Sequence, residues 1–168
     1  MSVEATTRDR LDRLALRQAF SLFPTGVVAV CAQIDGEPVG IAMNSFTSIS
    51  LDPPLVGISV ARTSTTWPRL SGSDRLGLSV LGAEQGQLCR SLASQKPDRF
   101  GDAPLRVTDG GAVLLEGAAL WLECSVRSVF EGGDHEVVLL DVLSSELFPD
   151  VEPLVFHQSQ FRALQVSD

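Results

Sequence analysis

The chain has 168 residues, 44% of them hydrophobic, with a formal net charge of -8 and a pI near 4.7. That is the length of one ordinary domain with enough apolar content for a core, and the acidic balance excludes the clustered Lys and Arg of a nucleic-acid binder. No stretch reaches the ~18 uninterrupted apolar residues of a membrane span, and "MSVEATTRDRLDRLALRQAF" alternates acid and base without a signal-peptide core. A single domain over residues 1–168 is expected, cytoplasmic, with no nucleic acid and no membrane among its partners.

In chain order, Thr6 or Thr7 is placed to cap a helix over about residues 7–22, where Leu11, Leu14, Ala15, Ala19 and Leu22 recur at helical spacing. From "GVVAVCAQ" onward the pattern is β. Asp35-Gly36 reads as a hairpin turn between strands at Val27–Ile34 and Pro38–Met43, and a further strand is read at Leu55–Val60. "TSTTWPRL" starts a short helix, "RLGLSVL" is a strand, and "AEQGQLCRSLAS" is a second helix despite Gly86. A loop follows through "QKPDRFGDAP". The runs "AALWLECSVRSVF" and "HEVVLLDVLSSELF" flank "EGGD" as the clearest hairpin signal, and "PLVFHQSQFRAL" adds a last strand. Strands outnumber helices without βαβ alternation, which predicts a mainly β fold, an antiparallel barrel with peripheral helices.

Cys31, Cys89 and Cys124 are odd in number and widely spaced, with neither CxxC nor metal-ligand spacing, so reduced thiols and no metal site are expected. GxGxxG, GxxxxGK[ST], HExxH and GxSxG are absent, and only His135 and His157 are available as imidazole bases. The chemistry therefore needs other residues. In "GIAMNSFTSISLDPPLVGISV", Asn44, Ser45, Thr47, Ser48 and Ser50 weaken a plain strand. They are either a polar loop bonding locally or hydrogen-bonding groups for a polar aromatic ligand such as a flavin. In "ARTSTTWP", Arg62, Thr63, Ser64, Thr65 and Thr66 precede a helix start, either as a simple cap with a solvated charge or as a cradle for an anion such as a phosphate.

The ordered set "FPTGVVAV", "GIAMNSFTSISLDPPLV", "ARTSTTWPRL", "DRF", "GGDH" and "PLVFHQSQFRAL" resembles the flavin reductase domain family, the reductase components of two-component flavin-dependent monooxygenases. The likeness runs from about Ala19 to Leu164. It implies an FMN-binding split β-barrel, antiparallel and Greek-key-like, forming a homodimer. In it NADH or NADPH reduces FMN or FAD, and the reduced flavin passes to a monooxygenase partner. A non-catalytic flavin or haem carrier on the same barrel is the rival from another class; an oxidase of the pyridoxamine-phosphate type is a second, which calls for more cationic phosphate ligands than Arg62.

By motif, the resemblance places isoalloxazine and ribityl contacts on Ala42, Met43, Asn44 and Ser45, with Ser50 closing the turn before Pro53 and Pro54, and Thr25 in the first strand motif. The phosphate segment is Ala61, Arg62, Thr63, Ser64, Thr65 and Thr66. Ala42 and Ala61 depart from the family's frequent Thr and Asn. At about 0.5–1.5 kcal/mol per net hydrogen bond, losing both loosens flavin binding by about one to two decades. Lys96 and Phe100 resemble positions near the flavin's edge or phosphate, although Lys96 also reads as a solvated charge. Gly133, Asp134 and His135 form the turn that borders the nicotinamide site. His135 is the expected catalytic residue, hydrogen-bonding the nicotinamide amide or the flavin edge, and His157 keeps a structural reading.

Overall fold

The computed structural model describes residues 12–167. Helix α1 (Arg13–Ser21) leads to β1 (Thr25–Gly26), β2 (Val28–Ile34), β3 (Glu37–Met43), β4 (Thr47–Leu51) and β5 (Pro54–Ala61). Next come α2 (Trp67–Leu70), β6 (Leu76–Val80), a 3-10 turn (Ala83–Gln85), α3 (Gly86–Leu92), β7 (Leu105–Val107) and β8 (Val113–Leu115). The long strands β9 (Leu120–Gly132) and β10 (His135–Leu147) precede a closing pair, β11 (Val155–His157) and β12 (Gln160–Arg162).

Seven strands form one antiparallel sheet in the order β3-β2-β6-β9-β10-β5-β4, while β1-β11-β12 and β7-β8 form small sheets beside it. Both expected hairpin turns form for the predicted reason. Asp35 and Gly36 each have positive φ, as a two-residue type I′ turn requires, and Gly133 supplies the positive φ at the first position of the β9–β10 turn.

The sheet curls around a core to which nearly every strand contributes: Val28 and Val30 from β2, Leu76 and Leu78 from β6, Leu122 and Cys124 from β9, Val138 and Leu140 from β10, and Val56, Ile58 and Val60 from β5. Trp67 and Leu70 of α2 plug one end. A second core lies outside β2, where Ala29 and Cys31 meet Cys89 and Leu92 of α3 and Val113 and Leu115 of β8. Fully burying one such Leu or Val contributes about 1.5–3 kcal/mol, so these layers hold the barrel. The split β-barrel expected from the resemblance is the observed architecture.

Four differences from the sequence reading stand out. Within the described residues the first helix begins at Arg13, because Asp12 is extended and its carboxylate accepts from the Leu14 and Ala15 amides; the expected cap at Thr6 or Thr7 lies outside them. Thr47–Leu51 is an edge strand, since pairing with β5 supplies the ladder that its hydroxyl-rich sequence does not advertise. β7 and β8 had no sequence signal, being three residues each. The tail forms two strands rather than one, folded back at Gln158 and Ser159, both with positive φ.

Candidate functional site

β3 runs out of the barrel at Met43, and Asn44–Phe46 carries the chain across the mouth to β4 on the opposite edge of the sheet. Ser45 closes that gap. Its hydroxyl donates to the Ser59 carbonyl at 2.8 Å and accepts from the Ser59 amide at 3.0 Å, stitching the crossing segment onto β5. One hydroxyl of the polar stretch thus serves the barrel seam.

A cleft of about 380 Å³ opens at this seam, floored by Ala42, Met43 and Asn44, walled by Ser59, Ala61 and Ser64–Thr66, and bounded by Ser94, Arg99 and His135. Within the cradle, the Ser64 hydroxyl accepts from the Trp67 amide at 3.1 Å. Among the described residues the amides of Thr65 and Thr66 donate to no protein acceptor. α2 is a single turn, so the attraction for an anion rests on these free N–H groups and hydroxyls rather than on a macrodipole.

Arg99 is the residue that sequence reasoning missed. Its Nη1 donates to Thr66 Oγ1 at 2.9 Å, to the Gly40 carbonyl at 3.2 Å and to the Leu92 carbonyl at 3.4 Å, tying cradle, β3 and α3 together. It stands inside the "DRF" motif, between the expected Lys96 and Phe100. The signal was the residue type, since a guanidinium is the side chain best able to serve several carbonyls at once.

His135 opens β10 at the rim, paired in register with Ala61 of β5. Its Nδ1 lies 2.7 Å from Asp134 Oδ1, which leaves Nε2 as the nitrogen available to a ligand. Asp134 is fully exposed, and its hydrogen bond to His135, with Arg13 at 3.5 Å, holds its carboxyl below the usual range. Glu136, the next residue, accepts from Trp67 Nε1 at 3.0 Å and so couples the hairpin to the helix behind the cradle.

A second, apolar cleft of about 290 Å³ meets the first along Ala42–Asn44 and Ala93, and is lined by Val27, Cys89, Phe156 and Phe161. The Arg90 guanidinium lies over the Phe161 ring at 4.7 Å. These residues come from α3 and the tail, which no local spacing relates to β3.

The cleft therefore gathers Ala42, Met43, Asn44, Ser45, Ala61, Ser64, Thr65, Thr66 and His135. Other expected residues fall elsewhere. Arg62 turns to the hairpin, with Nη2 3.3 Å from Glu131 and its amide donating to the Asp134 carbonyl, and neither it nor Thr63 lines the cleft. Ser50 lies out on β4. Thr25 pairs with Phe156 in β1, its hydroxyl buried without a partner. Gly133 and Asp134 shape the turn. Lys96 and Phe100 line a neighbouring polar cleft.

This geometry fits a flavin. The free amides and hydroxyls of the cradle suit a phosphate, the Asn44 carboxamide has no protein partner among the described residues, and the two clefts meet along Ala42–Asn44. Fold and site together describe a split barrel with a mouth whose lining suits a planar ligand with an anionic tail. The family description "Flavin reductase like domain" matches residues 20–165. The chain belongs to that family and is a flavin reductase, an oxidoreductase by class.

Named relatives agree. The "NADH-dependent FAD reductase" of Streptomyces globisporus is 38% identical over 159 residues, covering 92% of this chain and 87% of its own length. "Flavin-dependent monooxygenase, reductase subunit HsaB" of Rhodococcus jostii is 32% identical over 161 residues, covering 96% of this chain and 83% of its own length. Among solved structures, the Streptomyces globisporus C-1027 NADH:FAD oxidoreductase SgcE6 "in complex with NAD and FAD fragments" superposes with a TM-score of 0.87 at 37% identity, covering 92% of this chain and 93% of that one.

Proposed function

We propose that the chain uses NADH or NADPH to reduce FMN or FAD and delivers the reduced flavin to a partner flavin-dependent monooxygenase in the cytoplasm. The observation that carries this reading is the junction of two clefts over Ala42–Asn44, one ending in an anion cradle and the other lined by aromatic rings. The relatives' names as an FAD reductase and a monooxygenase reductase subunit support it. Among the described residues no helix is long and apolar enough to cross a membrane.

When bound, nicotinamide and flavin supply the hydride chemistry themselves. The protein's part is placement. Ser64–Thr66 would hold the phosphate, and Ala42–Asn44 would lie against the ring. His135, its Nδ1 tied to Asp134, offers Nε2 as a hydrogen-bond acceptor to the nicotinamide amide. No strong acid or base is required.

A homodimer belongs to the same reading, on different grounds from those the sequence offered. The apolar run at Leu120–Cys124 is largely covered within the chain, by the barrel core and by Trp121 edge-on to Phe148. Uncovered apolar side chains on the outer face of the sheet include Ile49 on β4 and Phe130 and Val137 on the β9–β10 hairpin, with Phe20 and Phe23 exposed at and after α1. That face continues into the rim of the cleft through Ser59, the register partner of Val137.

The deciding experiment follows oxidation of NADH and NADPH by absorbance with riboflavin, FMN and FAD in turn. Turnover with free flavin is expected, and absence of turnover with every pair sinks the reductase reading. Changing Ser64 and Thr65 together to Ala should weaken FMN far more than riboflavin; equal losses remove the phosphate assignment. Light scattering should give about twice the 18.0 kDa chain mass, and a fully active monomer overturns the dimer.

A further inference from the structure

Thr66 stands directly before α2, where a capping hydroxyl is expected, yet it does not cap: its backbone is already helical (φ -92°, ψ -40°) and its side chain accepts from none of the helix amides. Ser64 does that work instead, accepting from the Trp67 amide at 3.1 Å. The Thr66 oxygen takes a different donor, Arg99 Nη1 at 2.9 Å. A guanidinium only donates, so this bond fills an acceptor position on Oγ1 and leaves the hydroxyl hydrogen unspent. Thr66 is 7% exposed, and among the described residues its hydroxyl donates to no protein acceptor. A buried donor left unmatched is costly, and this one belongs to a side chain that lines the cleft, so the acceptor it calls for is one that enters there.

Arg99 is held in place for this task. Its Nη1 also donates to the Gly40 and Leu92 carbonyls at 3.2 and 3.4 Å, so the group cannot swing away without giving up three acceptors. It is half-buried, and among the described residues no carboxylate lies within ion-pair distance of it. A cation donating to Oγ1 polarises the hydroxyl and strengthens it as a donor. Its own charge has no counterion until an anion arrives.

We propose that Arg99 is a positioning residue that acts through Thr66, aiming and polarising that hydroxyl as a donor to the flavin's phosphate and so making the cleft favour a phosphorylated flavin over riboflavin. The inference rests on the flavin reading above and deepens it, because the cradle's hydroxyls alone do not say which is aimed or by what.

Calorimetric titration with riboflavin and FMN tests it on the wild-type protein, Thr66→Val, Arg99→Lys and the double variant, with thermal melts checking that each is folded. Arg99→Lys keeps the charge and loses the planar fork that reaches all three acceptors. Each single variant should lose about five- to tenfold in FMN affinity while riboflavin moves by less than about twofold, and the double variant should bind FMN within about twofold of Thr66→Val alone. Additive losses would mean that Arg99 meets the phosphate independently of Thr66, and full FMN affinity in Arg99→Lys would mean that charge suffices. Either overturns the positioning role and leaves the flavin site standing, as do equal losses for riboflavin and FMN, the mark of a purely structural clamp. Thr66→Ser, which keeps a hydroxyl within reach of Arg99, should retain FMN affinity within about twofold; a Ser variant as weak as Val removes the hydroxyl's part, however stable the Arg99 variants prove. If no flavin binds the wild-type protein, the flavin reading itself falls and this role with it.

Discussion

Strands β2 and β4 belong to the same sheet yet meet opposite surroundings. In β2 the five residues Val28–Ala32 are all buried, because Val28, Val30 and Ala32 face the barrel interior while Ala29 and Cys31 face the layer of α3 and β8. In β4 only Ser50 is even partly covered, and Leu51 is 95% exposed. A strand with two cores must be apolar throughout, with small side chains where a second layer presses close. An edge strand with one neighbour is free to carry hydroxyls and to present apolar groups to something outside the chain.

The sharpest test makes one substitution in each region. On β6, beside β2, a Cβ at Gly77 would lie 2.1 Å from the Val113 carbonyl oxygen, which is backbone and has no room to yield. Gly77→Ala should therefore cost about 3 kcal/mol or more of unfolding stability in urea titrations. On β5, beside β4, a Cβ at Gly57 meets no backbone, only the exposed Ile49 side chain at 3.3 Å and the Thr47 methyl at 3.5 Å. Gly57→Ala should cost less than about 1 kcal/mol. Equal losses would erase the distinction.

A smaller effect is expected where the two regions meet. Arg99→Leu removes the donor to Thr66, Gly40 and Leu92 at once and should lower stability by about 2 kcal/mol, and Arg99→Lys should restore less than half of it, lacking the planar fork. Full rescue by Lys would mean that charge alone matters there.

The smallest perturbation is chemical. Burial pushes the Cys31 thiol up to about 12, and burial together with the Glu123 and Asp141 carboxylates pushes Cys124 up to about 12. Burial also raises Cys89, with Arg90 opposing it. In native protein at about pH 8 all three should resist a thiol reagent, with Cys89, at the apolar cleft, labelling first and more slowly once flavin is added. Fast labelling of Cys31 would show that the doubly buried strand opens on its own.

What the sequence revealed follows the same division. β2, the Asp35-Gly36 turn and the β9–β10 hairpin were legible because burial on both faces and turn chemistry write themselves into adjacent residues. β4, β7 and β8 were not, since a short strand is defined by its partner. In the site, the hydroxyls of Ser45 and Ser64–Thr66 and the Asn44 amide stood out locally, while Ala42, Met43 and His135 were placed only by the family resemblance. The direction of Arg62 depended on Glu131 across the sheet, and the roles of Arg90, Phe156 and Phe161 depended on packing of the tail against α3. Arg99 was visible as a residue but not as a clamp, because its three acceptors are spread over three elements.

The β9–β10 ladder also sets an order of events for the folding chain. Its thirteen-residue strands are joined by a two-residue turn, so their contacts close almost no loop, whereas the mouth that the Ser45–Ser59 stitch secures is complete only once β5 has docked on β10, with Ala61 beside His135 far along the chain. The hairpin is therefore expected to form early and the seam at the mouth late. In rate measurements, substitutions near Gly133 should slow refolding, while Ser45→Ala should chiefly speed unfolding. The mouth that receives ligand is then also the last part of the barrel to be made.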